Sequence, residues 1–124
     1  MEVKFYRCSH CGNIVVKVVD SKVPVMCCGA KMEEIVPGSV DAAVEKHVPV
    51  IVREGGLVTV SVGSVAHPMA EEHYISLVVL ETTAGVQFAS LNPGDDPKAV
   101  FAVLDSVDVI AAYAYCNLHG LWKA

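Results

Sequence analysis

From His47 onward, apolar and β-branched residues recur in short runs separated by turn-forming residues. The runs cover residues 47–53, 57–62, 73–82, 86–91, 99–104 and 107–116 and predict at least six strands. Within 57–62, Val58, Val60 and Val62 alternate with Thr59 and Ser61, the two-residue period of a strand with one buried face. Gly55-Gly56, Gly63-Ser64, Ala84-Gly85 and the Asn-Pro-Gly-Asp-Asp-Pro segment at 92–97 punctuate the runs at the spacing of an antiparallel sandwich or barrel. Helix is expected only as a turn over residues 41–46.

Upstream, Pro37-Gly38-Ser39 supplies a turn or linker signal, so the chain divides into residues 1–36 and 37–124. A unit as small as the first needs a staple to stabilise itself, and its cysteines make a metal the natural one. Hydrophobic residues make up 53% of the chain and charged ones 19%, without long blocks, which places it among globular and not disordered sequences. The net charge of −5, with nine Lys plus Arg and no basic run, argues against nucleic acid or an anionic membrane as partner. An anionic substrate would therefore have to be drawn by a local positive group.

The apolar run at 107–116 is interrupted by Asp108 and is too short to cross a bilayer, and Met-Glu-Val-Lys-Phe lacks a signal-peptide apolar region. A cytoplasmic location is expected. In a reducing compartment five cysteines favour metal ligation over disulfides, and the odd count suits a disulfide framework poorly.

Cys8-Ser-His-Cys11-Gly12 has the two-residue spacer that aims two sulfurs at one ion, with Gly12 free to adopt positive φ. Its counterpart, Cys27-Cys28-Gly29, places two cysteines side by side, and adjacent side chains diverge unless the backbone bends sharply. A four-sulfur site built this way should be distorted. Thiolate chemistry suits zinc or a single iron about equally, so a structural zinc knot is one reading of these residues. His10, inside the spacer, reads as a solvated turn residue.

The other histidines, His47, His67, His73 and His119, fall at strand ends or adjoining loops, where a rigid sandwich can bring loops together on a metal. Any one of them alone could be a surface or satisfied core residue. Cys116-Asn-Leu-His119 offers two ligands within one turn, and Pro68 holds His67 extended. Glu45-Lys46 sets a carboxylate and an ammonium beside His47; away from a metal it would be a solvated charge pair.

The segments Tyr6-Arg7-Cys8-Ser9-His10-Cys11-Gly12-Asn13, Cys27-Cys28-Gly29, Glu45-Lys46-His47-Val48-Pro49-Val50, Gly63-Ser64-Val65-Ala66-His67-Pro68-Met69, His73-Tyr74-Ile75 and Tyr115-Cys116-Asn117-Leu118-His119-Gly120-Leu121-Trp122-Lys123 together resemble the desulfoferrodoxins, the two-iron superoxide reductases. The resemblance spans essentially the whole chain. It implies an all-β protein: a desulforedoxin-like, rubredoxin-type knot in residues 1–36, then an immunoglobulin-like sandwich in residues 37–124. It implies two irons per chain, one on Cys8, Cys11, Cys27 and Cys28, the other on equatorial His47, His67, His73 and His119 with Cys116 axial. The implied activity is one-electron reduction of superoxide to hydrogen peroxide, in a cytoplasmic homodimer supplied by a donor such as rubredoxin.

For that activity Lys46 is the candidate to attract superoxide and orient the water that delivers a proton, since a local cation raises encounter rates even on an acidic protein. Glu45 resembles the carboxylate that closes the site in its resting oxidised state. Single-iron relatives lack the N-terminal cysteines, so the first iron would pass electrons or hold the dimer. Two other classes stand beside this reading. One is a cupredoxin-like electron carrier, for which the chain has more histidines than needed and no methionine after Cys116. The other is a non-catalytic module with a zinc knot.

Overall fold

Antiparallel β-structure accounts for nearly all the regular backbone of the computed structural model, which describes residues 2–124. The chain separates into two compact units, Met1–Val36 and Pro37–Ala124. In the first, β1 (Phe5–Arg7) lies between β2 (Ile14–Val16) and β5 (Glu33–Ile35), and β3 (Met26–Cys27) pairs with β4 (Ala30–Lys31) as a minimal hairpin. These strands of two or three residues are too short to show a two-residue period, and none was expected from the sequence. Val3, Phe5, Cys8 and Met32 are its buried apolar side chains among the described residues. So small a set supplies little stabilisation, in keeping with a unit that relies on its sulfur cluster.

The second unit opens with a single helical turn, α1 (Val44–His47), followed by β6 (Pro49–Glu54) and β7 (Leu57–Val62). Next come β8 (Ile75–Thr82), β9 (Gly85–Ser90), β10 (Lys98–Ala102), β11 (Val109–Cys116) and β12 (Gly120–Lys123). One antiparallel sheet runs β10-β7-β6 and the other β12-β11-β8-β9. Val58, Val60, Val62, Ala99 and Phe101 from the first sheet meet Ile75, Val78, Leu80, Ala112, Ala114 and Cys116 from the second in one buried cluster. The result is a two-sheet antiparallel sandwich, one of the two architectures the strand spacing allows and the immunoglobulin-like one that the resemblance implies. Among the described residues no helix is long and apolar enough to cross a membrane.

The strands expected at 57–62, 86–91, 99–104 and 107–116 form with ends shifted by up to two residues. Two departures matter for the site. His47, expected to begin a strand, is the last residue of α1, whose turn closes through the Val48 amide donating to the Val44 carbonyl at 3.0 Å. His73, also placed at a strand start, instead forms an isolated bridge with Ala70 ahead of β8. In addition β12, which lies inside the Cys116 to Lys123 motif, was not expected as a strand.

The 63–66 loop packs against α1. The Val65 amide and the Ser64 hydroxyl donate to the Glu45 carbonyl at 2.8 and 3.2 Å, and the His67 amide returns to the Val62 carbonyl at 2.9 Å. Gly63 sits where a Cβ would come within 2.7 Å of the Glu45 carbonyl oxygen and 2.9 Å of the Val48 carbonyl oxygen. Both obstacles are backbone and cannot swing aside. Gly63→Ala should therefore lower the unfolding free energy by about 1–3 kcal/mol, the usual cost of overpacking, as read by denaturant unfolding. Gly56→Ala, whose Cβ meets only the Val103 carbonyl oxygen at 3.5 Å, serves as control and should fall well short of that loss.

Candidate metal centres

In the first unit the CxxC turn is closed by backbone. The Gly12 amide donates to the Cys8 carbonyl and the Cys8 amide to the Asn13 carbonyl, each at 2.9 Å. The amides of Cys11 and Asn13 then point at sulfur, reaching Cys8 Sγ at 3.4 Å and Cys11 Sγ at 3.5 Å. At the facing corner Cys28 has φ 52° and Gly29 φ 76°, two successive left-handed residues. This is the sharp bend that adjacent cysteine ligands require, and it brings Cys27 Sγ to 3.9 Å from Cys28 Sγ and 3.6 Å from Cys11 Sγ.

The sulfur separations identify what the cluster suits. A disulfide holds its sulfurs at about 2.05 Å, and all four cysteines are free thiols. Sulfurs in a tetrahedron about 2.3 Å from a central ion lie about 3.8 Å apart, which the observed 3.6 and 3.9 Å bracket. All four donor atoms lie within 4.8 Å of one another.

Proton affinities within the cluster are split. The Cys11 amide, the largest influence, draws the Cys8 thiol down to about 6. The sulfurs of Cys11 and Cys8 push the Cys28 thiol up to about 12, and Cys27 is raised in the same way. The Cys8 thiolate forms readily while the Cys27 and Cys28 thiols are held back by their neighbours, a conflict that a central cation removes. His10 is exposed in the turn.

In the sandwich four histidines and one cysteine converge from four separate chain segments. His47 comes from the end of α1, His67 from the 63–68 loop, His73 from the Ala70 bridge, and Cys116 from the end of β11 with His119 in the turn that follows it. The ladder between β8 and β11 slips just before the thiol, from Tyr115 opposite Leu77 to Cys116 opposite Ile75. This bulge re-aims the last residue of β11. Donor atoms of His47, His67, His73 and Cys116 lie within 4.8 Å of one another. His119 adds Nδ1, 3.2 Å from His47 Nε2 and 3.8 Å from Cys116 Sγ.

The rings form a closed cycle. His47 meets His67 and His119 edge to face, with centroids 4.7 and 4.9 Å apart, and His73 meets the same two at 4.7 and 5.1 Å. His47 and His73 stand farther apart, at 6.4 Å, with ring planes only 29° from parallel. The Trp122 indole lies 5.0 Å from His47 and its Nε1–H donates to the His119 carbonyl at 3.0 Å, walling one side of the cycle.

Tautomers follow from the hydrogen bonds. His47 Nδ1 faces the Ala43 carbonyl and His67 Nδ1 the Pro68 carbonyl, both at 2.7 Å. A carbonyl only accepts, so both Nδ1 atoms carry the proton and the neutral rings present Nε2 lone pairs. Yet those two Nε2 atoms lie 3.2 Å apart in a buried site. His73 Nε2 is likewise buried with no hydrogen-bond partner. Converging lone pairs and an orphaned nitrogen are what a metal ion satisfies, and cis nitrogen donors about 2.1 Å from an ion lie about 3.0 Å apart. Five N and S donors exceed both the four of a structural zinc site and the two histidines of a cupredoxin. The two donor sets are those the resemblance implies for two irons.

Glu45 and Lys46 are exposed on α1, beside His47. The ion pairs among the described residues are Lys17–Asp20 and Lys22–Asp20, so the Lys46 ammonium is uncommitted. The His73 imidazole is held below its ordinary value first by burial, then by the neighbouring His119 and His47, with Glu72 opposing and Lys46 adding a smaller lowering. The carbonyl anchors at Ala43 and Pro68 and the Trp122 wall escaped sequence reasoning. Pro68, directly after His67, was a signal for rigidity but not for the hydrogen bond it receives.

A family model described as Desulfoferrodoxin matches residues 39–124. A desulfoferrodoxin homolog from Archaeoglobus fulgidus is 47% identical over 122 residues, covering 98% of this chain and 96% of that protein. The desulfoferrodoxin of Nitratidesulfovibrio vulgaris is 44% identical over 124 residues, covering 99% of this chain and 96% of its own. Among solved structures, the superoxide reductase from Treponema pallidum superposes with a TM-score of 0.85 at 38% identity, covering 100% of this chain and 99% of that one. With cysteine knot and imidazole cage both inside the matched length, the chain belongs to the desulfoferrodoxin family.

Proposed function

We propose that this chain is a superoxide reductase with two iron centres. The observation that carries the reading is the cage of four imidazoles and one thiol, in which the Nε2 lone pairs of buried His47 and His67 face one another and His73 Nε2 is buried without a partner. His47, His67 and His73 would hold one iron through Nε2, His119 through Nδ1 and Cys116 through sulfur. Cys8, Cys11, Cys27 and Cys28 would hold the other. Iron bound in the cage supplies one electron to superoxide, which with two protons becomes hydrogen peroxide, and an external donor restores the electron.

The chain's residues divide the remaining work. Lys46 supplies the local positive charge that an acidic protein otherwise lacks, drawing in the anion and orienting the water that delivers a proton. Glu45, next to it, closes the site after turnover and plays no part in the first encounter. Cys116 would hold the metal through its thiolate, a donor that would enrich the iron in electron density, the same lever that ligand identity supplies in haem sites. The first unit either relays electrons or holds an assembly together. We extend the reading to a cytoplasmic homodimer served by a rubredoxin-type donor, which the family resemblance supports.

The decisive measurement follows peroxide and oxygen together in a superoxide assay on protein with its metal content determined. About two irons per chain and peroxide without oxygen are expected; one oxygen for every two superoxide consumed would indicate dismutation and overturn the assignment. In the same assay Lys46→Ala should slow the second-order step by roughly tenfold and flatten its ionic-strength dependence, whereas Glu45→Ala should leave that step near wild type. An unchanged rate in the lysine variant would make it a bystander.

Burial pushes the His67 imidazole down to about 4, and His73 moves in the same direction. In the unfolded chain these groups take up protons near the ordinary 6.5, so between about 4 and 6.5 the unfolded state binds more protons. Stability of the metal-free protein should therefore rise with pH across that window and be independent of these groups above it. Urea midpoints of metal-free protein at pH 5 and pH 7 check this, the lower value being expected at pH 5 and the gap narrowing in His67→Gln.

A further inference from the structure

Two of the four imidazoles carry an anchor on the ring itself: His47 donates Nδ1–H to the Ala43 carbonyl and His67 to the Pro68 carbonyl. His119 has its carbonyl fixed by the Trp122 indole. His73 differs. Among the described residues no hydrogen bond reaches its ring, and its Nε2 is buried without a partner. Its aim at the cage must therefore come from its backbone and from packing against the neighbouring rings.

The residues on either side of it are clamped to the β11–β12 turn by the Asn117 side chain. The Asn117 side chain accepts from the Tyr74 amide through Oδ1 at 2.9 Å and donates through Nδ2 to the Glu72 carbonyl at 3.0 Å. Its own amide donates to the Tyr74 carbonyl at 3.2 Å. Glu72 and Tyr74 flank His73 on either side, and Asn117 directly follows Cys116 two residues before His119. His73 itself exchanges hydrogen bonds of 3.1 and 3.0 Å with Ala70, and the β8–β11 ladder begins two residues later with Ile75 opposite Cys116, so Asn117 is the side chain that ties the intervening Glu72 and Tyr74 backbone to the turn.

We infer that Asn117 is a positioning residue for the metal cage: it locks the His73 segment to the turn carrying Cys116 and His119, doing through the backbone what a ring hydrogen bond does for His47 and His67. Only an amide side chain fits both contacts, because one end must accept from an N–H while the other donates to a carbonyl. The substitution Asn117→Asp would keep the first contact and lose the second; Asn117→Ala would lose both. Outer contacts of this kind usually change metal affinity by about 10- to 100-fold.

The inference rests on the cage being a metal site, so its test uses cobalt(II) on the full chain without superoxide, and the two can fail separately. Cobalt at the cage is read by hyperfine-shifted imidazole N–H resonances, which the all-cysteine site lacks. Asn117→Ala should weaken cobalt binding at the cage about 10- to 100-fold, with Asn117→Asp intermediate, and leave the four-cysteine site unaffected. In metal-free protein the Tyr74 amide should exchange about tenfold faster in Asn117→Ala.

The deciding comparison is a double-mutant cycle with His73→Ala. If Asn117 works through His73, its substitution costs little further cobalt affinity once that imidazole is gone; additive losses would reveal a merely structural role and overturn the inference. Wild-type cobalt affinity in Asn117→Ala would overturn it as well. Should Asn117→Ala not fold, the cycle is run with Asn117→Asp, read the same way. A wild-type chain whose imidazole resonances stay unshifted in cobalt would instead defeat the metal-site reading.

Discussion

The repulsion between imidazole lone pairs, held face to face by hydrogen bonds on the far side of the rings, is the constraint on which the site depends. With each Nδ1 proton committed to a carbonyl, the Nε2 atoms of His47 and His67 cannot share a proton at 3.2 Å unless the cage takes one up, and burial opposes that. The sandwich keeps them in place because its strands and loops are fixed elsewhere: in the core, in the 63–66 loop over α1, and in the Asn117 clamp. The fold stores an unfavourable arrangement that a cation makes favourable. Metal affinity in such a site is set by the rest of the structure as much as by its donors.

The cysteine knot meets the same problem by other means. Its donors are anionic when ligating, so the conflict appears as thiols that resist losing protons beside one another, and as left-handed backbone at Cys28. Its buried apolar side chains are few, so the four-sulfur centre is a large part of what orders that unit. The sandwich has a core of its own. Loss of metal should consequently weigh on the two units unequally.

What could be read from the sequence follows from the range of each interaction. The valines of β7 alternate because one face is wet, so their pattern was visible. In β8, Val78 and Leu80 face the core while Val79 and Glu81 are buried on the opposite face, which removes the period and leaves only an apolar run. The strands of the first unit escaped because two or three residues hold no period at all. Ligand types and spacing pointed to both centres, since chemistry restricts which side chains can serve. The placement of His47 on a helical turn did not follow, because that turn is held by Gly63, Ser64 and Val65, distant in sequence.

Asn117 shows where such legibility stops. Between Cys116 and His119 it reads as spacer, and no local rule gives it a partner; its contacts lie 43 and 45 residues earlier in the chain. An asparagine there is informative only once the fold shows two backbone groups, one donor and one acceptor, at the spacing its amide spans. Ligands are selected by the metal and can be recognised by type. The groups that aim them are selected by the gap between two segments, and that gap exists only in three dimensions.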